Sequence, residues 1–234
     1  SNPSAVEEIH RAYIEAGADI IQTNTYAAKK CQLKTYGYED KFEEINIRAA
    51  EIARSAAGEK TFVLGTIGAI RGLRECELTL EAIVNETLDQ VKVLLSTEKI
   101  DGLLFETYYD QEEIRTILPE VRKLTDLPII TNISLLEAGI TQNGEKVTDA
   151  LSTLVNLGAD IVGLNCHLGP YHMIKSFKQV PLFAQSYLSA YPNASLMQLT
   201  QTINGNEYRF RKNSSYFEQS AKLLVEEGVR LIGG

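Results

Sequence analysis

One local pattern recurs along this chain and limits its fold more than any other feature: an amphipathic helix, a glycine where the helix stops, then a short β-branched strand ending in polar residues. It occurs in EAGADIIQTNT from Glu15, EKIDGLLFET from Glu98, NLGADIVGLNC from Asn156 and EEGVRLIGG from Glu226. Gly17, Gly158 and Gly228 fall where a left-handed helix terminus favours a residue without a Cβ. Three further apolar runs, FVLGTIG from Phe62, PIITNIS from Pro128 and PLFAQSY from Pro181, are too short for exposed helices and bring the predicted strands to about seven. Strands alternating with helices at this spacing can pair only through crossovers, so they are parallel.

The intervening segments carry helix signals. Ser4 with Glu7, Asp110 with Glu113 and Ser215 with Glu218 have capping-box spacing before apolar positions at helical period. Phe42 to Ala53, Leu80 to Leu95 and Val147 to Val155 each show one apolar stripe, and Pro119 is placed to kink or end its helix. A closed barrel and an open doubly wound sheet both satisfy this order. The barrel is favoured, because no G-x-G-x-x-G follows an early strand and polar residues end nearly every strand: Asn24, Thr66, Glu106, Asn132, Asn165 with Cys166, and Gln185 with Ser186. An eight-stranded ring needs one strand more, and the chain opens on a helix, so the missing strand is expected before residue 1.

The 234 residues, 44% hydrophobic and 23% charged, suit one soluble α/β domain spanning 1–234 with no linker or low-complexity tract. A net charge of −8 with scattered lysines and arginines argues against nucleic acid as a partner. No apolar run is long enough for a membrane span, and SNPSAVEEIH has no signal-peptide core. Three cysteines do not make a disulfide framework and favour a reducing cytoplasm.

Cys166 ends the strand ADIVGLNC before the turn HLGP, which places its sulfur at the mouth. Its plain alternative is a small buried hydrophobe, since no second cysteine lies at short spacing. His172 is a conceivable partner, with capping or decoration of the next helix as the simpler role. Glu106, at the tip of DGLLFET, can face a cationic ligand group; the alternative is an ordinary surface or helix-terminal carboxylate. Asn24 and Asn165 are natural orienting groups that can equally bond nearby backbone. Asp19, Asp101 and Asp160, at strand entrances, read as structural, and His10 as packing.

EIHRAYIEAGADIIQTNTYAA, DGLLFET and VGLNCHLGP, in this order, resemble the homocysteine S-methyltransferase domain, including the form fused in bacteria to a methylenetetrahydrofolate reductase. The similarity runs from about Pro3 to Gly234, and G-x-N-C-x-x-G-P is its most specific part. It implies a (β/α)8 TIM barrel whose first strand and whose end after the eighth strand lie outside this chain. It also implies zinc held by Cys166 and by a pair of cysteines expected after Gly234, with Glu106 holding the α-amino group of homocysteine and Asn24 and Asn165 lining the pocket. The expected reaction moves a methyl group from a small donor, a methylated folate, S-methylmethionine or a betaine, to the homocysteine thiol, giving methionine. One departure is GTIGAIRG, where Ala69 stands in place of the family's proline. Two other readings compete: a metal-free lyase or aldolase using Glu106, and a non-catalytic ligand-binding barrel.

Overall fold

In the computed structural model, which describes residues 2–72, 76–193, 198–202, 205–209 and 214–233, the crossover argument holds for the main sheet. The strands are β1 (Ile20–Gln22), β2 (Phe62–Gly68), β3 (Gly102–Tyr108), β4 (Ile129–Ile133), β5 (Ile161–Asn165), β6 (Tyr187–Tyr191), β7 (Gln198–Thr202), β8 (Gly205–Arg209) and β9 (Val229–Ile232). Seven form one sheet in the order β1-β2-β3-β4-β5-β6-β9, every pair parallel, while β7 and β8 form a separate antiparallel hairpin. The helices are α1 (Pro3–Glu15), α2 (Lys30–Lys34), α3 (Phe42–Ala57), α4 (Leu80–Ser96), α5 (Gln111–Arg122), α6 (Val147–Asn156), α7 (Pro170–Phe177) and α8 (Ser214–Glu226).

Strand alternation divides the apolar residues into two cores. Val63, Ile67, Leu103, Phe105, Ile129, Ile133, Val162, Leu164 and Leu188 face the helices and merge with the apolar stripes of α3 to α6. Leu64, Leu104 and Ile130 face the other way and pack with Ile20, Ile161, Tyr191 and Leu231. That smaller cluster joins the first strand of the sheet to the last, so the sheet must curl around it. The result is a seven-stranded parallel sheet rolled into part of a barrel. Its two edges, β1 and β9, are not hydrogen-bonded to each other, and a cavity of about 830 Å³ opens between them, lined by Ile9, Tyr13, Ile20 and Leu231 among others.

The strand entrances are clamped by a device used twice. Asp101 Oδ2 accepts from the Val63 amide at 2.7 Å and from Arg54 at 2.6 Å; Asp160 Oδ2 accepts from the Ile129 amide at 2.8 Å and from Arg122 at 2.5 Å. The structural reading of these two aspartates is thereby met, and His10 is buried on α1 as expected.

Several local expectations differ. PLFAQSY is not a strand: the strand begins at Tyr187, so Gln185 and Ser186 stand at its entrance, where Ser186 Oγ donates to Asp160 O at 3.0 Å. The apolar run in that segment misled because Pro181 begins a loop. Ser4 is not a cap, because Pro3 already occupies the first turn, and Ser4 Oγ instead donates to Asn2 Oδ1. Pro119 does not end its helix, which runs to Arg122. The helix signalled by Ser215 starts at Ser214, with its cap outside the described residues. The hairpin β7–β8 had no counterpart in the sequence reading.

Gly163 lies against β6 so closely that an added Cβ would sit 1.9 Å from Ser189 O. Gly163→Ala is expected to force the two strands apart and to lower stability by about 3 kcal/mol or more in urea denaturation, as overpacking of a rigid core does.

Candidate active site

All seven parallel strands end at one rim, and the residues there come chiefly from the ends of β1, β3 and β5, with Thr66 of β2 and Tyr191 of β6. β3 departs from regular alternation. Phe105 pairs with Thr131 and Tyr108 with Ile133, so the two residues Glu106 and Thr107 stand opposite the single Asn132, a β-bulge. Phe105 and Tyr108 consequently both face the helix layer although they are three residues apart. Glu106 and Thr107 are left to serve the mouth. Glu106 opens on the 830 Å³ cavity with Gln22, Asn24, Thr66 and Tyr191, and Thr107 lines a second cavity of about 1690 Å³ with Tyr109. Tyr26 borders both. Gly68 permits that position, since a Cβ there would meet the Tyr26 ring at 2.5 Å.

Burial raises the Glu106 carboxyl to about 7, opposed in part by the Gln22 amide beside it. No basic side chain among the described residues is paired with it, so the cavity offers a desolvated carboxyl group that a ligand cation would satisfy. Below it, Asn132 Nδ2 and Thr66 Oγ1 are buried without partners, and the Asn132 oxygen accepts from Ser189. These are polar groups of the kind that a polar ligand or ordered water satisfies.

Cys166 is the first residue beyond β5 and is partly exposed. Its backbone, like that of His167, lies in the left-handed region, at φ 56° and 54°. Its sulfur is 3.7 Å from Thr107 Oγ1 and 3.4 Å from Asn165 Nδ2. Burial pushes the thiol up, while those two donors act in the opposite direction. Asn24 is exposed at the rim beside Glu106's cavity. Asn165 is buried, with its side-chain amide directed to Thr107: the oxygen accepts from Thr107 N at 2.8 Å and the nitrogen donates to Thr107 Oγ1 at 2.8 Å. His172 is exposed on α7, with its ring edge-on to Tyr171. Among the described residues, no group of three His, Cys, Asp or Glu side chains is arranged to hold a metal.

Two buried charges escaped the sequence reading. Lys29, wholly buried, donates from Nζ to Gly68 O, and burial lowers its pKa to about 8 against the attraction of Glu113. Glu113 was assigned to a capping box. Only Asp110 caps that helix, accepting from the amides of Glu112 and Glu113, whereas the Glu113 carboxylate accepts from the amides of Ile70 and Arg71, both at 2.8 Å. Lys29 and Glu113 thus tie the loop after β2 to the neighbouring elements. No local sequence signal flagged them, because each is flanked by other polar residues and its partners lie on distant elements.

A parallel, barrel-type sheet with a strand-tip thiol near a partly buried carboxyl group defines an α/β protein with its candidate site at the C-terminal rim. The sequence profile described as homocysteine S-methyltransferase matches residues 1–234, and the chain belongs to that family. It is 29% identical over 245 residues to the methionine synthases of Mycobacterium leprae and Mycobacterium tuberculosis, covering all of this chain and 20% of each relative. The chain therefore spans about a fifth of the length of these curated relatives. Among solved structures it is similar to the metallated form of the homocysteine methyltransferase MmuM from Escherichia coli, with TM-score 0.78 and 21% identity, over 100% of this chain and 80% of that one. Dihydrodipicolinate synthase DapA-2 from Bacillus anthracis shares the fold alone, with TM-score 0.55 at 9% identity over 100% of this chain and 63% of that one. No helix among the described residues is long and apolar enough to cross a membrane.

The Glu106 carboxyl has its pKa raised by folding, so between the ordinary carboxylate value of 4.5 and about 7 the native state holds a proton that the unfolded chain has released. Stability from this group is present below 4.5 and is lost as pH rises through 7. Glu106→Gln is expected to be more stable than the parent above pH 7, by about 1–3 kcal/mol, with the gap closing toward pH 4.5 in denaturation curves taken across that range.

Proposed function

We propose that this chain is the homocysteine-binding barrel of a methyltransferase, moving a methyl group from a small-molecule donor to the thiol of homocysteine and forming methionine. The observation that carries the reading is the placement of Glu106, a partly buried carboxyl group with no basic partner among the described residues, together with the Cys166 thiol at the Thr107 bulge. Glu106 as the carboxylate binds the α-ammonium group, and Gln22 and Asn24 on the same cavity wall orient the rest of the amino acid. Thr66, on the same cavity wall, supplies a hydroxyl oxygen without a protein partner.

Cys166 fits one corner of a zinc site: it is a free thiol at the rim, and two donors are ready to support its thiolate. Two further ligands are expected from the cysteine pair that the family resemblance implies after Gly234. When bound, zinc supplies a homocysteine thiol deprotonated at neutral pH. The chain's own task is to hold the amino acid so that its sulfur meets the donor's methyl carbon in line, the new S–C bond forming as the donor's bond to that carbon breaks. Tyr26, Tyr109 and Tyr191 line the two cavities and give their walls apolar ring surface for the reacting groups. Donor identity, whether a methylated folate, S-methylmethionine or a betaine, is not selected by these residues.

An eighth parallel strand, seated between the unpaired edges of β1 and β9, completes the (β/α)8 ring in this reading. The chain spans about a fifth of the curated methionine synthases, which leaves room for further domains in a longer protein; a fused methylenetetrahydrofolate reductase is the one that the resemblance allows. Three free cysteines favour a reducing cytoplasm.

Glu106→Ala is expected to weaken L-homocysteine binding at least about tenfold in calorimetry, the loss of one charge-assisted contact. In the parent, affinity should rise as pH increases toward 7, where the carboxylate forms, and level off above it. A dissociation constant unchanged by the substitution and flat across this range would make Glu106 structural. Cys166→Ser, in the protein carrying its full cysteine set, should lower bound zinc sharply by elemental analysis with the fold intact; unchanged stoichiometry would remove Cys166 from the ligand set.

A further inference from the structure

The bulge in β3 places a β-branched residue where it does not belong. Thr107 has φ 65°, a left-handed conformation that is a real outlier for threonine and costs about 1–3 kcal/mol unless its surroundings impose it. What imposes it is the Asn165 side chain, reaching from β5 across β4 to β3. Its carbonyl oxygen accepts from Thr107 N and its amide nitrogen donates to Thr107 Oγ1, each at 2.8 Å, so one planar amide grips both the main chain and the side chain of one residue. The same nitrogen lies 3.4 Å from Cys166 Sγ, and Thr107 Oγ1 lies 3.7 Å from it. Ser134 Oγ in turn donates to Asn165 O at 2.7 Å, fixing the strand end from which the amide projects.

We propose that Asn165 is a positioning residue that locks the Glu106–Thr107 bulge and thereby sets the carboxylate holding the amino acid at a fixed separation from Cys166. This rests on the reading of Glu106 and Cys166 given above, and it assigns Asn165 a role other than contact with the substrate. The reason is geometric. Without the bulge, Thr107 would turn toward the helices and Tyr108 toward the mouth, and the strand beyond Glu106 would shift by one residue. Asn165 suits the position because an amide offers one acceptor and one donor side by side, matching the N–H and hydroxyl of Thr107. Cys166, next in sequence and bonded to both members of the clamp, is placed by the same interaction.

The test is L-homocysteine binding by calorimetry with amide hydrogen exchange at Thr107, on Glu106→Ala, Asn165→Ala, Thr107→Ala and the double variant Asn165→Ala with Thr107→Gly. Asn165→Ala should weaken binding about tenfold and speed exchange at the Thr107 amide. The double variant should recover most of the affinity, because glycine takes φ 65° without a clamp. A general loss of packing would give no such rescue. Should Asn165→Ala not fold, Thr107→Ala, which keeps the strained Cβ and loses the hydroxyl, is expected to weaken binding at least threefold, about 0.7 kcal/mol. Parent affinity in the folded alanine variant of Asn165, or in Thr107→Ala where that variant cannot be made, overturns the proposal, as does a double variant no tighter than Asn165→Ala alone. Either result with Glu106→Ala still weakened leaves the methyltransferase reading standing; an unaffected Glu106→Ala instead removes that reading itself.

Discussion

Period-two alternation lets only every second side chain of a strand reach the concave face of a curled sheet, and the rim of this one uses two neighbours, Glu106 and Thr107. The extra residue opposite Asn132 resolves that conflict. Phe105 and Tyr108 stay with the helix-facing core, Glu106 turns to the cavity bordered by Gln22 and Tyr191, and Thr107 reaches the Cys166 sulfur. Every functional distance at the rim follows from that displaced residue.

The rest of the fold is arranged to make the bulge affordable. At the strand entrances, far from the rim, aspartates with arginine partners close the ladder, Asp101 with Arg54 and Asp160 with Arg122. Between the entrances and the rim, Leu64, Leu104 and Ile130 fill the interior, so that the sheet is rigid below the site. At the rim the rules relax: three non-glycine residues, Thr107, Cys166 and His167, have positive φ, and Asn132 and Thr66 are buried with unpartnered atoms. Three strained residues close together at the rim, with unpartnered polar atoms near them, are the physical marks of a site prepared for a ligand. Lys29 and Glu113 add a second support, holding the loop after β2 from beneath.

The order of elements was largely legible, because crossover topology leaves few alternatives once helices and strands alternate. The third apolar run was misplaced by several residues: proline and a loop share the apolar character of a buried strand, and Tyr187–Tyr191 was passed over. The Ser4 signal failed for a local reason, a proline at the start of α1, and the Glu113 signal failed for a distant one, since the amides of Ile70 and Arg71 offered its carboxylate a better-desolvated partner than its own helix end. Cys166, Glu106 and Asn24 were read at strand ends and lie at the rim, because strand ends converge in any parallel barrel.

By itself, then, the sequence determined the parallel sheet, its curl-compatible pattern of apolar faces and the identity of the groups at the rim, since these depend on period and on neighbours a few residues away. Tertiary structure alone decided how those groups are aimed. The grip of Asn165 on Thr107 joins residues 58 apart in the chain, and the bulge that it holds exists only when β3, β4 and β5 lie side by side. No local pattern encodes such a contact, because its energy comes from strands that meet only after the chain has folded.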